Sequence, residues 1–311
     1  MYRPERVVII GATFPELELY CPNFNGMKAG LERLGIPYLF VTCRPTLNVE
    51  NVINYNPDLV VYALRDVILH PTWKQELKEA LPNCKFVMWY GDYRNNATGQ
   101  NDANISMLDA MFVSNDAQEE FYKHKWKAKH VFFLPLGAEP IQEPQYNHKF
   151  DLPFIFIGGQ ISGSQFHNRA LDIESYKQDD GLKLINSFEP EMRKNIMKAV
   201  PEIYSSAKVA LDISHFTDVQ GYTSNRFWVI PANFGFALTK RWPGCTDFYP
   251  EDTRCYFDTH EEAIQKRDYY LTHEDERVAL LQRAHKHSYN HTYDKRFLQM
   301  FNVLERLCNN K

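Results

Sequence analysis

Residues 154–159 read Phe-Ile-Phe-Ile-Gly-Gly, a wholly apolar run that ends in two glycines. Residues 7–11, Val-Val-Ile-Ile-Gly, show the same pattern near the start of the chain. Short runs that are apolar throughout, rather than alternating with polar residues, are typical of strands buried on both faces of a parallel sheet. The two runs therefore predict two sheets, each opened by one of these strands.

Further apolar runs follow both opening strands and are separated by segments with helical spacing. The predicted strands are 37–41, 59–62, 86–89, 110–113, 131–134, 209–213 and 236–238. The predicted helices are 27–34, 73–81, 117–126, 166–176, 189–206 and 225–234, and the tail from 261 to 307 is helical by its pattern. Strands that alternate with helices in this way predict α/β units with parallel sheets.

A polar stretch with two prolines, residues 138–152, separates the two halves and marks a linker. A length of 311 residues is also typical of about two domains. We therefore expect a Rossmann-like domain over 1–140, a linker over 141–152 and a second Rossmann-like domain over 153–290. Residues 291–311 are expected to form a C-terminal helix that packs back on the first domain, and a ligand is expected in the cleft between the domains.

Composition excludes some classes of protein. The net charge is −4, with 35 basic and 39 acidic residues, so the whole chain is not an electrostatic nucleic-acid binder. The six cysteines lie far apart with no CxxC pair, which speaks against a zinc site and suits a reducing compartment. No apolar stretch approaches the ~20 residues of a membrane-spanning helix, and no signal-peptide pattern is seen, so we expect a cytoplasmic protein.

The segment 222–239 carries the strongest chemical pattern. Thr223 or Ser224 can cap a helix that starts near Asn225, and the free N–H groups of a helix N-terminus suit a diphosphate. Arg226 lies in the first turn, where the helix dipole disfavours a cation, and a bidentate phosphate contact gives a reason for it. The alternative is a surface arginine paired with a nearby carboxylate.

Five segments in order resemble the glycosyltransferase domain of the CgeB-like (spore maturation protein) group, a relative of GT-B families 1 and 4. They are Ala207–Ser214, Thr223–Arg226, Pro231-Ala232, Phe236–Thr239 and His291–Arg296. The resemblance covers the chain from about residue 154 to its end, and the first half is similar only in outline. It implies a GT-B fold of two Rossmann-like domains facing a central cleft, with a helical C-terminal tail.

The resemblance further implies transfer of a sugar from a nucleotide-diphosphate sugar to a hydroxyl acceptor bound by the first domain. Candidate residues for the donor nucleotide are Gly158, Gly159, Arg169, His215, Tyr222, Thr223, Ser224, Asn225 and Arg226. Gly158 and Gly159 permit close approach of the backbone to a ligand. A tight turn and a solvated cation are the alternative readings for the two glycines and for Arg169.

The acceptor side is predicted at the ends of two strands in the first half. Thr13 and Phe14 follow the first strand, and Arg94 follows the strand at 86–89. Asp92, in Trp89-Tyr-Gly-Asp-Tyr-Arg94, is the candidate general base that takes the proton of the acceptor hydroxyl. Its alternative role is to cap the next segment, since aspartate is favoured at caps and turns.

Two positions depart from the family pattern. Relatives carry a glutamate three residues after the arginine, where it is expected to bind the donor ribose, and here that position is Val229, which accepts no hydrogen bond. Phe234 stands where relatives have glycine, with Gly235 next to it. The donor base and sugar therefore stay open. A non-catalytic nucleotide-sugar-binding protein and another cleft enzyme such as an epimerase are the competing hypotheses.

No metal or cofactor is expected beyond the donor itself, because GT-B relatives usually need none and no carboxylate cluster suggests a metal site. Three tail histidines, His285, His287 and His291, lack an HExxH motif and are interpreted as the polar face of a helix. The oligomeric state is not predicted.

The acceptor is also open: a glycan, a lipid, a small molecule or a hydroxymethylated DNA base. A DNA acceptor requires a basic groove on the first domain. Its candidates are Lys123, Lys125, Lys127 and Lys129 around Trp126, where an aromatic side chain between cations resembles a single-strand binding surface. A solvated, lysine-rich turn is the alternative.

Overall fold

The computed structural model describes residues 2–11, 21–43, 46–63, 71–91, 105, 108–158, 167–185 and 190–309. The chain divides into two compact units, one formed by Met1–Leu136 together with Tyr293–Lys311 and the other by Gly137–Thr292. Each unit is built on one parallel sheet. None of the helices in the described ranges is both long enough and apolar enough to cross a membrane.

Unit 1 contains a six-stranded parallel sheet with helices in its crossover connections. In chain order its elements are β1 Val7–Gly11, α1 Pro22–Arg33, β2 Tyr38–Thr42, α2 Val49–Tyr55, β3 Leu59–Ala63, α3 Pro71–Ala80, β4 Lys85–Tyr90, β5 Ala110–Val113, α4 Glu119–Lys125 and β6 Val131–Phe133, with a 3₁₀ turn at Asp116–Gln118 before α4. The strand order is β2-β1-β3-β4-β5-β6, which is the doubly wound arrangement.

Unit 2 contains a five-stranded parallel sheet. Its elements are β7 Phe154–Ile157, α5 His167–Asp179, β8 Lys183–Ile185, α6 Pro190–Ser206, β9 Val209–Asp212, α7 Asn225–Ala232, β10 Ala237–Lys240, α8 Cys245–Phe248, β11 Cys255–Phe257, α9 His260–Thr272 and α10 Glu274–Ser288, with 3₁₀ turns at His148–Phe150, Glu251–Thr253 and Tyr289–His291. The strand order is β11-β10-β9-β7-β8. The order therefore reverses between β7 and β9, which is the point where such sheets bind ligands.

The two opening strands behave as their composition predicts. Val7, Val8, Ile9 and Ile10 of β1 are fully buried, and every residue of β7 is buried. Both strands lie between two neighbours of their sheet, β1 between β2 and β3, and β7 between β8 and β9. The prediction of two Rossmann-like α/β units is confirmed.

The chain ends in the helix α11, Tyr293–Asn309, which belongs to unit 1 and packs against α1. Gly26 and Gly30 lie on the face of α1 that meets Tyr293. A Cβ at position 30 would come within 2.7 Å of the Asp294 backbone nitrogen, so the missing side chain permits the close helix approach.

The segment 141–152, read from its sequence as a linker, lies within unit 2 and is attached to α6. The backbone N–H of Gln145 donates to Ser205 Oγ at 3.0 Å, and that of Asn147 donates to Ser206 Oγ at 2.8 Å. The division between the units falls earlier, after Leu136.

The sequence pattern did not predict four short elements, namely α2, α8, β8 and β11. The edge strands β8 and β11 have three residues each, too few for a period to show. The helix α2 contains two asparagines and two valines among its seven residues, which favour other conformations. It is supported at its start by Asn48, whose side chain accepts from the backbone N–H of Asn51 at 3.0 Å.

Candidate functional site

Arg226 joins the ends of the two strands at which the order of the unit 2 sheet reverses. Its guanidinium donates to the carbonyl of Ile157, the last residue of β7, at 3.3 Å and to that of Ile213, just after β9, at 2.7 Å. The side chain is only 13% exposed, so Arg226 does not lie on the surface, but its Nε is 3.7 Å from Asp212 Oδ1, so the carboxylate pairing of the alternative reading is present. The other N–H donors of the guanidinium make no hydrogen bond within the described residues.

The predicted helix start is confirmed and Ser224 occupies the N-cap position, but the expected side-chain capping hydrogen bond is absent. α7 begins at Asn225, and Ser224 holds the extended N-cap conformation without a capping hydrogen bond from its side chain. The Ser224 hydroxyl instead lies 3.4 Å from Asp212 Oδ1, and its backbone N–H donates to Ser214 Oγ at 3.0 Å. Thr223 is buried, and its hydroxyl donates to the Ser224 carbonyl at 3.4 Å. The N–H groups of the first turn are therefore not occupied by a side-chain cap.

Arg169, from α5, lies beside Arg226. Both guanidiniums stand over the ring of Phe156, Arg226 at 4.4 Å and Arg169 at 5.8 Å from its centroid. Arg169 is 4% exposed. Its burial, followed by the charge of Arg226, lowers the pKa of Arg169 to about 9, with Tyr222 opposing. Two cations thus share one apolar platform, an arrangement that an anionic ligand stabilises.

His215 lies in the positive potential of Arg169 and Arg226. Burial first, and then the charges of Arg169 and Arg226, lower the pKa of His215 to about 3. The imidazole is therefore neutral at physiological pH and stands at the carboxyl end of β9. Of the predicted donor residues, the structure thus brings together Arg169, His215, Tyr222 and Arg226.

Gly158 belongs to the same group through its backbone. A Cβ at this position would lie 3.1 Å from Arg226 Nη1 and 2.6 Å from the Phe156 ring. A side chain here would press mainly on the Phe156 ring and also on Arg226, so the missing Cβ lets the backbone approach both. Asn225, at the first position of α7, is exposed.

Asp212 and Arg254 form a buried pair next to Arg226, which the sequence pattern did not predict. Asp212 is 2% exposed, and its carboxylate lies 3.7 Å from Arg226 Nε and 3.7 Å from Arg254 Nη2. Arg254, also 2% exposed, donates to the Phe227 carbonyl from both terminal nitrogens at 2.9 Å and to Thr239 Oγ1 at 2.8 Å. Burial raises the pKa of Asp212, and the Arg254 and Arg226 charges oppose this rise.

Val229 and Phe234, the two positions that depart from the family pattern, lie in different environments. Val229 is partly buried and packs against the apolar cluster around Ile155 and Ile230, so its position offers no hydrogen bond to a ribose. Phe234 has φ 53°, in the left-handed region that glycine favours, which fits the glycine of the relatives. Its ring stacks on His285 at 3.7 Å.

The tail histidines are not a solvent-facing polar row, so that interpretation is wrong. His285 is buried and bonds the Pro231 carbonyl through Nδ1 at 2.9 Å. His287 and His291 both reach the Phe248 carbonyl through Nε2, at 2.8 and 2.7 Å. These rings pack among the aromatic side chains behind α7, since the ring of His291 lies 5.3 Å from that of Trp228.

The lysine-rich segment 123–129 does not present an aromatic stacking surface. Trp126 is 2% exposed and packs on Tyr122 at 4.6 Å between ring centroids. Lys123 forms ion pairs with Glu120 at 2.6 Å and Glu119 at 3.9 Å. The buried indole excludes the proposed base-stacking role of Trp126.

The other predicted site residues, Thr13, Phe14, Asp92, Arg94 and Gly159, lie outside the described residues. In the ranges that the structure describes, no group of three or more His, Cys, Asp or Glu side chains is arranged to hold a metal ion.

Comparison with known proteins agrees with this architecture. Residues 183–302 match the family model described as glycosyl transferase-like. A search of curated proteins by sequence finds no match.

Three solved structures share the fold over nearly the whole chain. An α-glucosyltransferase bound to UDP and a 13-mer DNA containing an HMU base has a TM-score of 0.69 and 10% identity, covering 96% of this chain and 99% of that one. HepE of Anabaena in complex with UDP-glucose has a TM-score of 0.57 and 9% identity, with coverage of 97% and 99%. Sucrose-phosphate synthase of Thermosynechococcus elongatus has a TM-score of 0.55 and 12% identity, with coverage of 99% and 100%. The chain therefore has the GT-B glycosyltransferase fold, and most of its second unit matches a glycosyl transferase-like sequence family.

Proposed function

We propose that this protein is a glycosyltransferase that takes its sugar from a UDP-sugar and moves it to a hydroxyl group. The fold and the family match over 183–302 support a transferase. The choice of UDP rests on the neighbours, since the α-glucosyltransferase is bound to UDP and HepE to UDP-glucose. The finer assignment to the CgeB-like group rests on the five sequence segments and stays a prediction.

The observation that carries the proposal is the pair of arginines at the reversal point of the unit 2 sheet. Arg226 is fixed there by the carbonyls of Ile157 and Ile213, and Arg169 shares its Phe156 platform. The uncapped first turn of α7 adds N–H donors and the positive end of its dipole. A diphosphate bound here would meet two guanidiniums and backbone donors together.

The same groups have a chemical role beyond binding. When the sugar leaves, negative charge develops on the diphosphate, and donors that are already oriented lower the free energy of that transition state. We propose that the arginines and α7 supply this stabilisation without a divalent metal ion. The neutral His215 stands among them as a hydrogen-bonding group for the donor.

The competing hypothesis, a binding protein without turnover, is favoured by Val229, which leaves the expected ribose contact empty. The two hypotheses separate on one assay. The transferase consumes a sugar nucleotide, whereas the binding protein retains it unchanged.

The test is incubation of the protein with UDP-, GDP-, ADP- and dTDP-sugars, with and without EDTA, while nucleoside diphosphate release is followed. We expect release from a UDP-sugar, unchanged by EDTA and lost in Arg226→Ala. Arg241→Ala is the matched control, because Arg241 forms an ion pair with Glu251 on the surface of the same unit. If UDP binds but no nucleoside diphosphate is released from any sugar nucleotide, the binding-protein hypothesis is supported. If there is no binding and no release, the proposal is contradicted.

An oligonucleotide that carries 5-hydroxymethyluracil belongs among the acceptors tested, because the neighbour in the comparison is bound to DNA with an HMU base. The net charge of −4 and the buried Trp126 speak against a DNA acceptor here.

A further inference from the structure

Three consecutive residues after β5 carry polar atoms that are buried and unused. Ser114 is 2% and Asn115 0% exposed. Within the described residues, Ser114 Oγ, both amide atoms of Asn115 and Asp116 Oδ1 have no hydrogen-bond partner. A buried polar atom that is left unpaired destabilises the folded protein. Buried polar atoms are usually paired, so a run of this kind requires an explanation.

The run lies at the carboxyl edge of the unit 1 sheet. β5 is placed between β4 and β6. The Ser114 N–H donates to the Tyr90 carbonyl at 3.0 Å, and the Leu134 N–H donates to the Val113 carbonyl at 2.8 Å. The backbone is therefore fixed by both neighbouring strands. Beyond them, in the part of the chain that the structure describes, the Ser114 hydroxyl and the Asn115 amide have no hydrogen-bond partner, and Asp116 keeps one unpaired oxygen, although backbone N–H groups donate to its carboxylate. Ligands of parallel α/β sheets bind outside this edge.

A local structural role does not account for Asn115. It precedes the 3₁₀ turn at Asp116–Gln118 with an extended backbone, φ −139° and ψ 136°, which is the position where asparagine usually caps. Its side chain makes no capping hydrogen bond. The amide is buried at a cap position and still has both its donor and its acceptor unused.

The chemistry of these groups selects the ligand. A serine hydroxyl and an asparagine amide each donate and accept hydrogen bonds, which complements hydroxyl groups that also do both. Asp116 and Glu119 stand close by, since the charge of Asp116 contributes to raising the pKa of Glu119, after burial as the main cause. An anionic ligand would meet these carboxylates, so a phosphate is disfavoured and a neutral polyol is favoured.

We propose that Ser114, Asn115 and Asp116 form a subsite for the hydroxyl groups of a neutral sugar ring, which serves as the acceptor. This inference rests on the proposed transferase function. It names the class of acceptor and the part of unit 1 that binds it. The unpaired polar atoms lower the stability of the free protein and are paired when the sugar binds.

The test uses the full chain and Asn115→Leu, a variant of similar volume, with Ser114→Ala as a second variant. Methyl glucopyranosides, galactopyranosides and mannopyranosides are the probes, glucose 6-phosphate is the anionic probe, and binding is read by ligand-observed NMR. Asn23→Leu is the matched control, because Asn23 is also buried in unit 1 but accepts from the Tyr293 hydroxyl at 2.8 Å.

We expect a methyl pyranoside to bind the wild type more strongly than glucose 6-phosphate does, and to bind Asn115→Leu at least tenfold more weakly. The Tm of Asn115→Leu and Ser114→Ala should equal or exceed that of the wild type, whereas Asn23→Leu should lower it and keep pyranoside binding. A lowered Tm in Asn115→Leu, unchanged pyranoside binding, or preference for the phosphate or for hydroxymethylated DNA would each overturn the subsite. UDP is titrated into the same samples to distinguish failure of the subsite from failure of the proposed function. If the wild type does not bind UDP, the transferase proposal itself is contradicted.

Discussion

At the scale of single residues, Phe234 shows how a strained position is kept. α7 ends in a Schellman arrangement, in which the Gly235 N–H donates to the Ile230 carbonyl at 2.9 Å and the Phe234 N–H to the Pro231 carbonyl at 3.3 Å. The motif requires a left-handed residue at position 234, where glycine is usual. The ring stacked on His285 compensates for the strain.

Phe234→Ala and Phe234→Gly separate these two effects. Both remove the stack, but only glycine relieves the left-handed strain, so Phe234→Gly should be more stable than Phe234→Ala by about 1 kcal/mol. Urea unfolding of both variants measures the difference. Equal stability, or a more stable alanine variant, would show that the backbone is not strained here.

His215 predicts an acid effect on stability. Its pKa is about 3 in the folded protein and near the ordinary value of ~6.5 in the unfolded chain. Between these values the unfolded chain binds a proton that the folded protein does not. Stability should therefore fall as the pH decreases from about 6.5 toward 3.

His215→Gln should lose part of this acid dependence, because glutamine does not titrate. The measurement is the free energy of unfolding from urea titrations at several pH values. His124→Gln, at an exposed position of α4, is the control. An acid dependence that is the same in His215→Gln and the wild type would refute the prediction.

At the scale of elements, the start of α7 is held by the buried side chains of Asp212 and Arg254 rather than by a side-chain cap. One carboxylate oxygen of Asp212 accepts a hydrogen bond from Ser224 and forms an ion pair with Arg226. The other accepts from Thr239 and forms an ion pair with Arg254. Arg254 in turn holds the Phe227 carbonyl in the first turn of the helix. The N-terminal end of α7 is thus tied to β9 and β10 through one buried carboxylate.

Asp212→Asn should destabilise the protein by about 3 kcal/mol, because the buried Arg254 and the partly buried Arg226 lose their shared counter-charge. Arg254→Met should also be destabilising. The double variant should lose at least about 1 kcal/mol less than the sum of the two, since each single change leaves the other charge without its partner. Chemical unfolding of the four proteins gives the cycle, and additive losses would show that the two side chains act independently.

At the scale of the whole molecule, unit 1 is completed by residues distant in sequence, whereas unit 2 is one continuous segment. Unit 1 requires α11, whose Tyr293 packs on Trp89 with centroids 5.8 Å apart and donates to Asn23 at 2.8 Å. Arg33 and Asp294 add an ion pair at 2.7 Å. The end of the chain is therefore part of the first unit.

Gly30→Ala tests the packing of α11 against α1. The added Cβ would meet the backbone of Tyr293 and Asp294 at 2.7–2.8 Å, so α1 and α11 must separate, at a cost of about 1–3 kcal/mol. Thermal unfolding measures the loss, and retained UDP binding shows that unit 2 is intact. Gly181→Ala, where a Cβ meets nothing within 4 Å but φ is +69°, provides the comparison for backbone strain alone.

The fold could be predicted from the sequence to a large extent because its central strands are apolar on both faces, as in 7–10 and 154–157. The start of α7 and the position of Arg226 could also be predicted, since local signals mark them. The pairing of Asp212 with Arg254 could not, because it joins two strands and a loop through tertiary packing. The uncapped Ser224 shows the same limit: its hydroxyl bonds a carboxylate on β9 instead of the adjacent helix.

The most direct test of the central claim is calorimetric titration of UDP and of uridine into the wild type, Arg226→Ala and Arg226→Lys. The proposed diphosphate site predicts that UDP binds at least about 10-fold more weakly to Arg226→Ala, as expected for lost hydrogen bonds to a charged group. Arg226→Lys should lie between that variant and the wild type, and uridine binding should change little. Thermal unfolding confirms that each sample is folded. Equal UDP affinity in folded wild type and folded Arg226→Ala would contradict the account.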